Sequence, residues 1–260
     1  MNPFLIRIAL RPRTPLESLD LAALFIRDHA RPFLHSVALC CVLPALVFGA
    51  LQVWVGLAAG WGVLVAVVWL APLLQPVFMA HAARLLFEPD VPMRSVFRDL
   101  WAHRLAFAQL LGVRVLGAGV ALMSMFMLLP FWMVLSLFAN ETLMLERGTL
   151  WSSAQRAIWL STEDVGRAVM SVGVLLGLTL WVVLCTEALA QALLGVVLQV
   201  GAPFGRLSDG DPTPWATLGV LLAQPVVAWA RIILYVDVRA ALEGWDLQID
   251  LRAAAEEAEA

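Results

Sequence analysis

From Pro32 to Ala83 the chain carries no Asp, Glu, Lys or Arg, and an arginine stands at either end, Arg31 and Arg84. These 52 uncharged, mostly apolar residues are far more than one buried helix needs. A bilayer crossing takes about 20 apolar residues, so the run has room for two crossings and a turn. A similar pattern, interrupted by isolated charges, recurs twice downstream. The chain reads as an integral membrane protein.

Composition agrees. Of the 260 residues 62% are hydrophobic and 14% charged, with a mean hydropathy of +0.85. Soluble globular domains are about 25% charged, and a soluble fold of this composition would expose apolar surface it could not cover. All 17 basic residues are Arg, which reads as a GC-rich coding bias and hence a bacterial source. No basic patch is interleaved with stacking aromatics, so nucleic acid is not an expected partner. Cys40, Cys41 and Cys185 lie in apolar segments at no metal or redox spacing and read as inert buried thiols. Phe4-Leu5-Ile6 is broken by Arg7, and no apolar stretch of useful length precedes Arg11 and Arg13, so no cleavable signal is expected.

Six crossings are expected. The first runs over about Phe33–Leu57 and the second over about Trp61–Ala83, joined by the short turn Leu57-Ala58-Ala59-Gly60. Crossings three and four share Leu105–Leu145 around a turn near Leu128-Leu129-Pro130. Crossing five begins near Ala168, and its uncharged run after Glu187 continues to Val200, as one long helix or one that breaks outward. Crossing six covers about Trp215–Tyr235.

Basic residues near span ends stay on the cytoplasmic side. Arg7, Arg11, Arg13, Arg27 and Arg31 precede crossing one, and Arg84, Arg94, Arg98 and Arg104 separate two from three. Arg147, Arg156 and Arg167 separate four from five, and Arg239 and Arg252 follow six. The opposite turns hold only Arg206. That alternation places both termini inside. Tryptophans mark the headgroup levels: Trp54, Trp61, Trp132 and Trp215 outside, Trp101, Trp151, Trp159 and Trp245 inside, leaving Trp69, Trp181 and Trp229 for core packing.

A short amphipathic segment precedes each pair of crossings. Thr14-Pro15-Leu16-Glu17 is a capping box with Pro at N1, followed by Leu16, Leu19, Ala23 and Ile26 on one face. Met93, Val96, Phe97, Leu100 and Trp101 form the second stripe, opposite Arg94 and Arg98. Leu150, Ala154, Ala157 and Ile158 form the third, and Ser161 to Asp164 reads as the cap of crossing five. Such faces suit helices lying in the membrane interface; inner extensions of the spans are the alternative. The expected fold is therefore all-α and polytopic, six transmembrane helices as three hairpins, each preceded by a cytoplasmic amphipathic helix. Residues 1–32 form the N-terminal cytoplasmic segment, 33–247 the transmembrane domain and 248–260 a short acidic tail.

Ionisable groups at membrane depth are costly and mark functional candidates. Arg114 lies about 15 Å into crossing three, and Glu141 reaches a similar height on crossing four. A pair between them would keep both charged while joining two helices; a snorkelling Arg114, or a substrate or ion site, are the other readings. Glu187 and Gln191 are one turn apart on crossing five, near the outer boundary, where water contact is the plainer account. Arg231 sits near the inner end of crossing six, within snorkelling reach. Asp209-Gly210-Asp211 reads as a turn, and His29, His35, His81 and His103 share no ligand spacing. No cofactor or metal is expected.

Four features resemble a broad family of uncharacterised bacterial six-span membrane proteins related to the membrane domain fused to some glycerophosphodiester phosphodiesterases. They are Leu24-Phe25-Ile26-Arg27 with Pro44 in crossing one, Glu146-Arg147-Gly148 before the Ser153–Leu160 stretch, the Leu234–Arg239 run leading into Glu243–Leu247, and the hairpin layout itself. The resemblance implies the six-span fold and the inner membrane. It brings no activity, because that membrane portion has no established catalytic residues, and only 16 residues follow Gly244. The terminal motif reads as an anchor or docking site: Arg239 and Glu243 pair at i,i+4, Gly244 ends the helix, Asp237 lies within it, and Tyr235 and Trp245 sit at headgroup depth.

These readings together favour a non-enzymatic inner-membrane scaffold or accessory subunit, held among membrane lipids and acting with a protein partner or a second copy of itself. The alternative is a transporter or channel subunit for a small solute or lipid. With both termini inside, a phosphatase reporter fused after Ala260 should be inactive and a cytoplasmic reporter active. The reverse result, or external proteolysis at Arg94 in intact cells, would refute this orientation.

Overall fold

Helix α1 (Pro15–Asp28) begins at the cap encoded by its sequence. The Thr14 amide donates to Glu17 Oε2 (3.0 Å) and the Glu17 amide to Thr14 Oγ1 (3.3 Å). Pro15 takes the first helical position, where its missing N–H has no helical partner to lose. The computed structural model describes residues 13–86, 88, 91–102, 104–124, 127–146 and 150–243, with the backbone alone at some helical positions, Arg114 among them.

Every regular element among the described residues is helical. After α1 come α2 (Ala30–Val55), α3 (Leu57–Leu70), a 3-10 turn (Ala71–Leu74), α4 (Gln75–Leu85), α5 (Met93–Ala102) and α6 (Arg104–Met123). Then follow α7 (Leu129–Leu135), α8 (Ala139–Leu145), α9 (Leu150–Thr162), α10 (Val165–Ala192) and α11 (Pro214–Glu243). Among the described residues, four stretches are long and apolar enough to cross a membrane: Ala30–Val55, Gly60–Leu85, Val165–Val197 and Pro214–Glu243. They fall on the expected crossings one, two, five and six. The fifth is unbroken through Glu187; its 33 residues end in a π-helical turn at Leu193–Val197.

The expected fourth crossing looks different. Residues 129–145 form two seven-residue helices, α7 and α8, split by a turn at Ser136–Phe138. Neither is long enough to span alone at about 1.5 Å per residue. The turn satisfies part of its own backbone: Ser136 Oγ donates to the Trp132 carbonyl (2.6 Å) and the Ala139 amide to the Ser136 carbonyl (3.1 Å).

Helix α2 is built inside out. Its buried positions include Ser36, Cys41 and Gln52, while Leu34, Leu39, Leu43 and Leu46 face outward. An apolar exterior around a polar stripe is the distribution expected where lipid, not water, surrounds a helix. Trp181, expected in the core, is likewise exposed, whereas Trp229 is fully buried.

The chain divides into two compact units, one of Met1–Asp28, Met79–Val174 and Trp229–Ala260, the other of His29–Phe78 and Leu175–Ala228. In the second, Val63, Leu64 and Val67 of α3 pack with Val183, Ala216 and Val220. Pro225 removes one helical N–H from α11 and so frees the Leu221 carbonyl, which the Cys41 thiol takes (3.6 Å). Gln75 donates to Gln224 Oε1 (2.9 Å), and Gln224 donates in turn to the Val220 carbonyl (2.9 Å). In the first unit, Trp229 is the centre: the Phe25 ring lies 5.1 Å away and His81 meets it edge-on at 6.2 Å.

The amphipathic segments are helices, but their buried faces are not all the expected ones. On α1 the buried stripe is Pro15, Ser18, Ala22 and Phe25, one position off the anticipated face, and Leu16 is exposed. Ser18 turns inward because its hydroxyl finds a buried acceptor, Asp237 Oδ2, at 2.5 Å. On α5, Met93 and Val96 are buried as expected, while Phe97 and Trp101 remain exposed beside Arg94 and Arg98. On α9, Ala157 is buried with Ser153, Leu160 and Ser161, and Ile158 is exposed.

Close approach in the second unit depends on Gly219. A Cβ there would stand 2.7 Å from Val183 Cα, a backbone atom with no means of yielding. Gly219→Val should therefore destabilise the protein by about 1–3 kcal/mol, the usual cost of overpacking. Gly173→Ala, with nothing within 4 Å of its added methyl, should melt at or above the wild-type temperature. Equal melting of the Gly219 variant and wild type in detergent would contradict this packing.

Candidate functional site

A buried arginine must be given acceptors, and the break between α7 and α8 supplies them. Inside an α-helix each carbonyl is used by the residue four further on; at the turn the Leu137 carbonyl is released. Arg231 of α11 donates Nη2 to it. The same guanidinium closes a two-pronged pair with Glu141 in the first turn of α8, Nε to Oε1 and Nη2 to Oε2, both 2.8 Å. Glu141 is fully buried and Arg231 nearly so. The fork geometry of Arg suits a carboxylate and adds direction to the attraction.

Three further residues continue up the same face of α11 at four-residue spacing. The Tyr235 hydroxyl donates to Glu146 Oε1 (2.6 Å), and the Tyr235 ring lies 6.0 Å from Phe138. Arg239 reaches Glu146 Oε1 at 3.5 Å and donates Nε to Glu243 Oε2 at 2.8 Å. Arg156 of α9 pairs with Glu243 and lies 3.7 Å from Glu146, its guanidinium over the Trp159 ring. On another face of α11, Asp237 accepts from Arg13 Nη1 (2.8 Å) and from Ser18. Four arginines thus meet four carboxylates, Glu141, Glu146, Asp237 and Glu243. The arrangement holds helices together.

The second unit has its own buried carboxylate. Glu187 accepts from the Leu207 amide (3.2 Å), from Gln191 (3.1 Å) and from the Thr213 hydroxyl. Gln191 also donates to the Gly205 carbonyl (2.9 Å). Thr213 caps α11 by accepting from the Ala216 amide (3.1 Å), and Gln52 binds both Thr217 and the Pro212 carbonyl at 2.5 Å. Glu187 therefore ties the 198–213 loop to α10 rather than meeting water. The Asp209-Gly210-Asp211 stretch is a turn, with Gly210 at φ +85°.

The expected partner of Glu141 was Arg114. Its side chain lies outside the described residues, and the partner that the structure does describe is Arg231, 90 positions away. Arg231 does not snorkel; it points to Glu141. Tyr235, Arg239 and Glu243 come together in one network with Glu146, while Asp237 pairs separately with Arg13 and Ser18, and the Arg239–Glu243 pair forms as spaced. Arg94 and Arg98 are exposed on α5, apart from it. Gly244 and Trp245 lie outside the described residues. The reading missed Arg13, Ser18 and Arg156, whose roles depend on distant partners. The i,i+4 run Arg231, Tyr235, Arg239, Glu243 was the visible signal.

Removing one partner of a buried pair costs about 3–5 kcal/mol, whereas removing both can be nearly neutral. Arg231→Leu alone should lower thermal stability in detergent by that order, and Glu141→Leu alone by a similar amount. The double variant should recover much of the loss. Strictly additive losses would mean that the two side chains are not coupled.

The chain matches no family model, no curated protein and no solved structure. Nothing in these comparisons links it to the membrane domain of glycerophosphodiester phosphodiesterases, so that resemblance rests on its motifs alone.

Proposed function

We propose that this chain is a non-enzymatic scaffold or accessory subunit of the bacterial inner membrane, with six crossings and both termini inside, acting with a protein partner or a second copy. The observation that carries the reading is the closure of its charged groups. Glu141 and Arg231 hold one another, and Tyr235, Arg239 and Glu243 close a second group with Glu146 at four-residue spacing along the same helix. Groups that carry a solute across a membrane need water or substrate access; these are occupied by protein. Among the described residues no cluster of three His, Cys, Asp or Glu could hold a metal ion.

The arginine alternation supports six crossings. Helix α6 is 20 residues long, and α7 with α8 would serve as a broken crossing. Non-helical backbone is tolerated at membrane depth where protein buries it, and the Leu137 carbonyl has Arg231 as its donor. The motifs shared with the bacterial six-span family support the same location. The runner-up, a transporter or channel subunit, draws on Glu187, whose hydrogen-bond partners among the described residues are all neutral.

On this reading the activity lies on the cytoplasmic face. Arg94 and Arg98 stand exposed beside Phe97 and Trp101, which suits a surface that meets a partner at the lipid boundary. Arg94→Glu with Arg98→Glu should insert normally yet reduce partner recovery from mild detergent by about tenfold, the factor that about 1.4 kcal/mol represents. Glu141→Leu with Arg231→Leu, in a folded protein, should matter less. If that intramembrane pair abolishes function and the surface reversals do nothing, the transporter reading replaces this one.

A further inference from the structure

We infer that the pocket beside the first turn of α10 binds the phosphodiester of an anionic phospholipid. The pocket is partly open, has room for about 120 Å³, and is walled largely by apolar side chains, among them Phe138, Leu160, Val238 and Leu242. Arg167 lines it from α10, and its Nε and Nη2 are buried with no hydrogen-bond partner among the described residues. Buried guanidinium nitrogens without an acceptor are costly, so an oxyanion entering this pocket gains what the protein leaves unmade.

The neighbours do not supply that acceptor. Asp164 Oδ1 accepts from the Arg167 backbone amide (2.9 Å) and makes no hydrogen bond to those two nitrogens. Ser171 donates its hydroxyl proton to the Arg167 carbonyl (2.8 Å). Arg167 is therefore the pocket's charged donor, aided by the positive end of the α10 dipole. Asp164 also lines the pocket, so a singly charged ligand suits it better than a divalent one. A phosphodiester carries one negative charge at all physiological pH values; free inorganic phosphate at neutral pH is a mixture of singly and doubly charged forms.

Size and surroundings favour the lipid as its source. The space equals about four water volumes at about 30 Å³ each, enough for a phosphate group and its first carbons. The acyl chains would continue over exposed apolar residues of α10, where Val165, Val169 and Met170 face outward. This assignment goes beyond the scaffold reading and would survive its failure, since it concerns what the first turn of α10 holds and not which protein the chain meets.

Native mass spectrometry of the full chain in detergent, with phosphatidylglycerol, phosphatidylcholine or inorganic phosphate added, tests it. Phosphatidylglycerol should be retained at least about tenfold better than phosphatidylcholine, and Arg167→Gln should lose about tenfold in that retention, as expected for one charge-assisted partner. Ala241→Leu, which fills the pocket from an exposed position while leaving the charge, should lose as much. Arg27→Gln, at an exposed arginine of α1 away from the pocket, should leave that retention unchanged. A thermal melt confirms that each variant is folded, and the Ala241 variant keeps the test if the Arg167 variant is not. Unchanged retention in a folded pocket variant, or equal retention of the two lipids, would overturn the inference. Displacement of phosphatidylglycerol by equimolar inorganic phosphate would assign the site to a free oxyanion and overturn the lipid assignment.

Discussion

A guanidinium with almost no access to solvent projects from α11, and the surrounding structure is arranged to give it acceptors. An isolated buried cation would cost several kcal/mol even after relaxation. Arg231 avoids this with one carboxylate and one carbonyl, and both come from the same short stretch, Leu137 and Glu141. The interruption between α7 and α8 is thus coupled to the ion pair. A continuous helix through residues 129–145 would have used the Leu137 carbonyl internally and left the guanidinium with fewer acceptors.

The same rule extends along α11. Tyr235 meets Glu146, Arg239 meets Glu243, and Asp237 meets Arg13 and Ser18. In the second unit the solution is neutral, with amide and hydroxyl donors around Glu187 and glutamines bridging to the backbone or to each other. Around these polar interiors the exposed surface of α2 and α10 is largely Leu, Val and Trp. Water would disfavour that surface; lipid tails do not, and helix association in lipid relies on packing and polar contacts of this kind. The fold is therefore explained by what its interior satisfies more than by what its exterior hides.

How much of this was legible depends on range. The cap at Thr14 and Glu17, the pair Arg239–Glu243, and the Asp164 cap ahead of α10 are local, and each forms as spaced. The four long apolar helices were legible from long apolar runs with few charges in them. Buried faces of amphipathic helices were less so: on α1 a serine displaced leucine from the interior because its acceptor, Asp237, is 219 positions away. Trp181 failed for a related reason, since in a lipid-facing helix bulk and apolarity no longer signal the core.

By itself, the sequence determined that this chain is helical, that its long apolar segments require a non-aqueous surrounding, and where several helices start. Those properties follow from composition, period and neighbouring residues, which act over one or two turns. The tertiary structure decided which acceptors Arg231 takes, that residues 129–145 are interrupted, and that Arg167 lines a pocket with two nitrogens that have no acceptor among the described residues. Charge pairing across 90 positions has no local signature: any buried carboxylate at the right depth would serve, and only packing brings one of them within 2.8 Å.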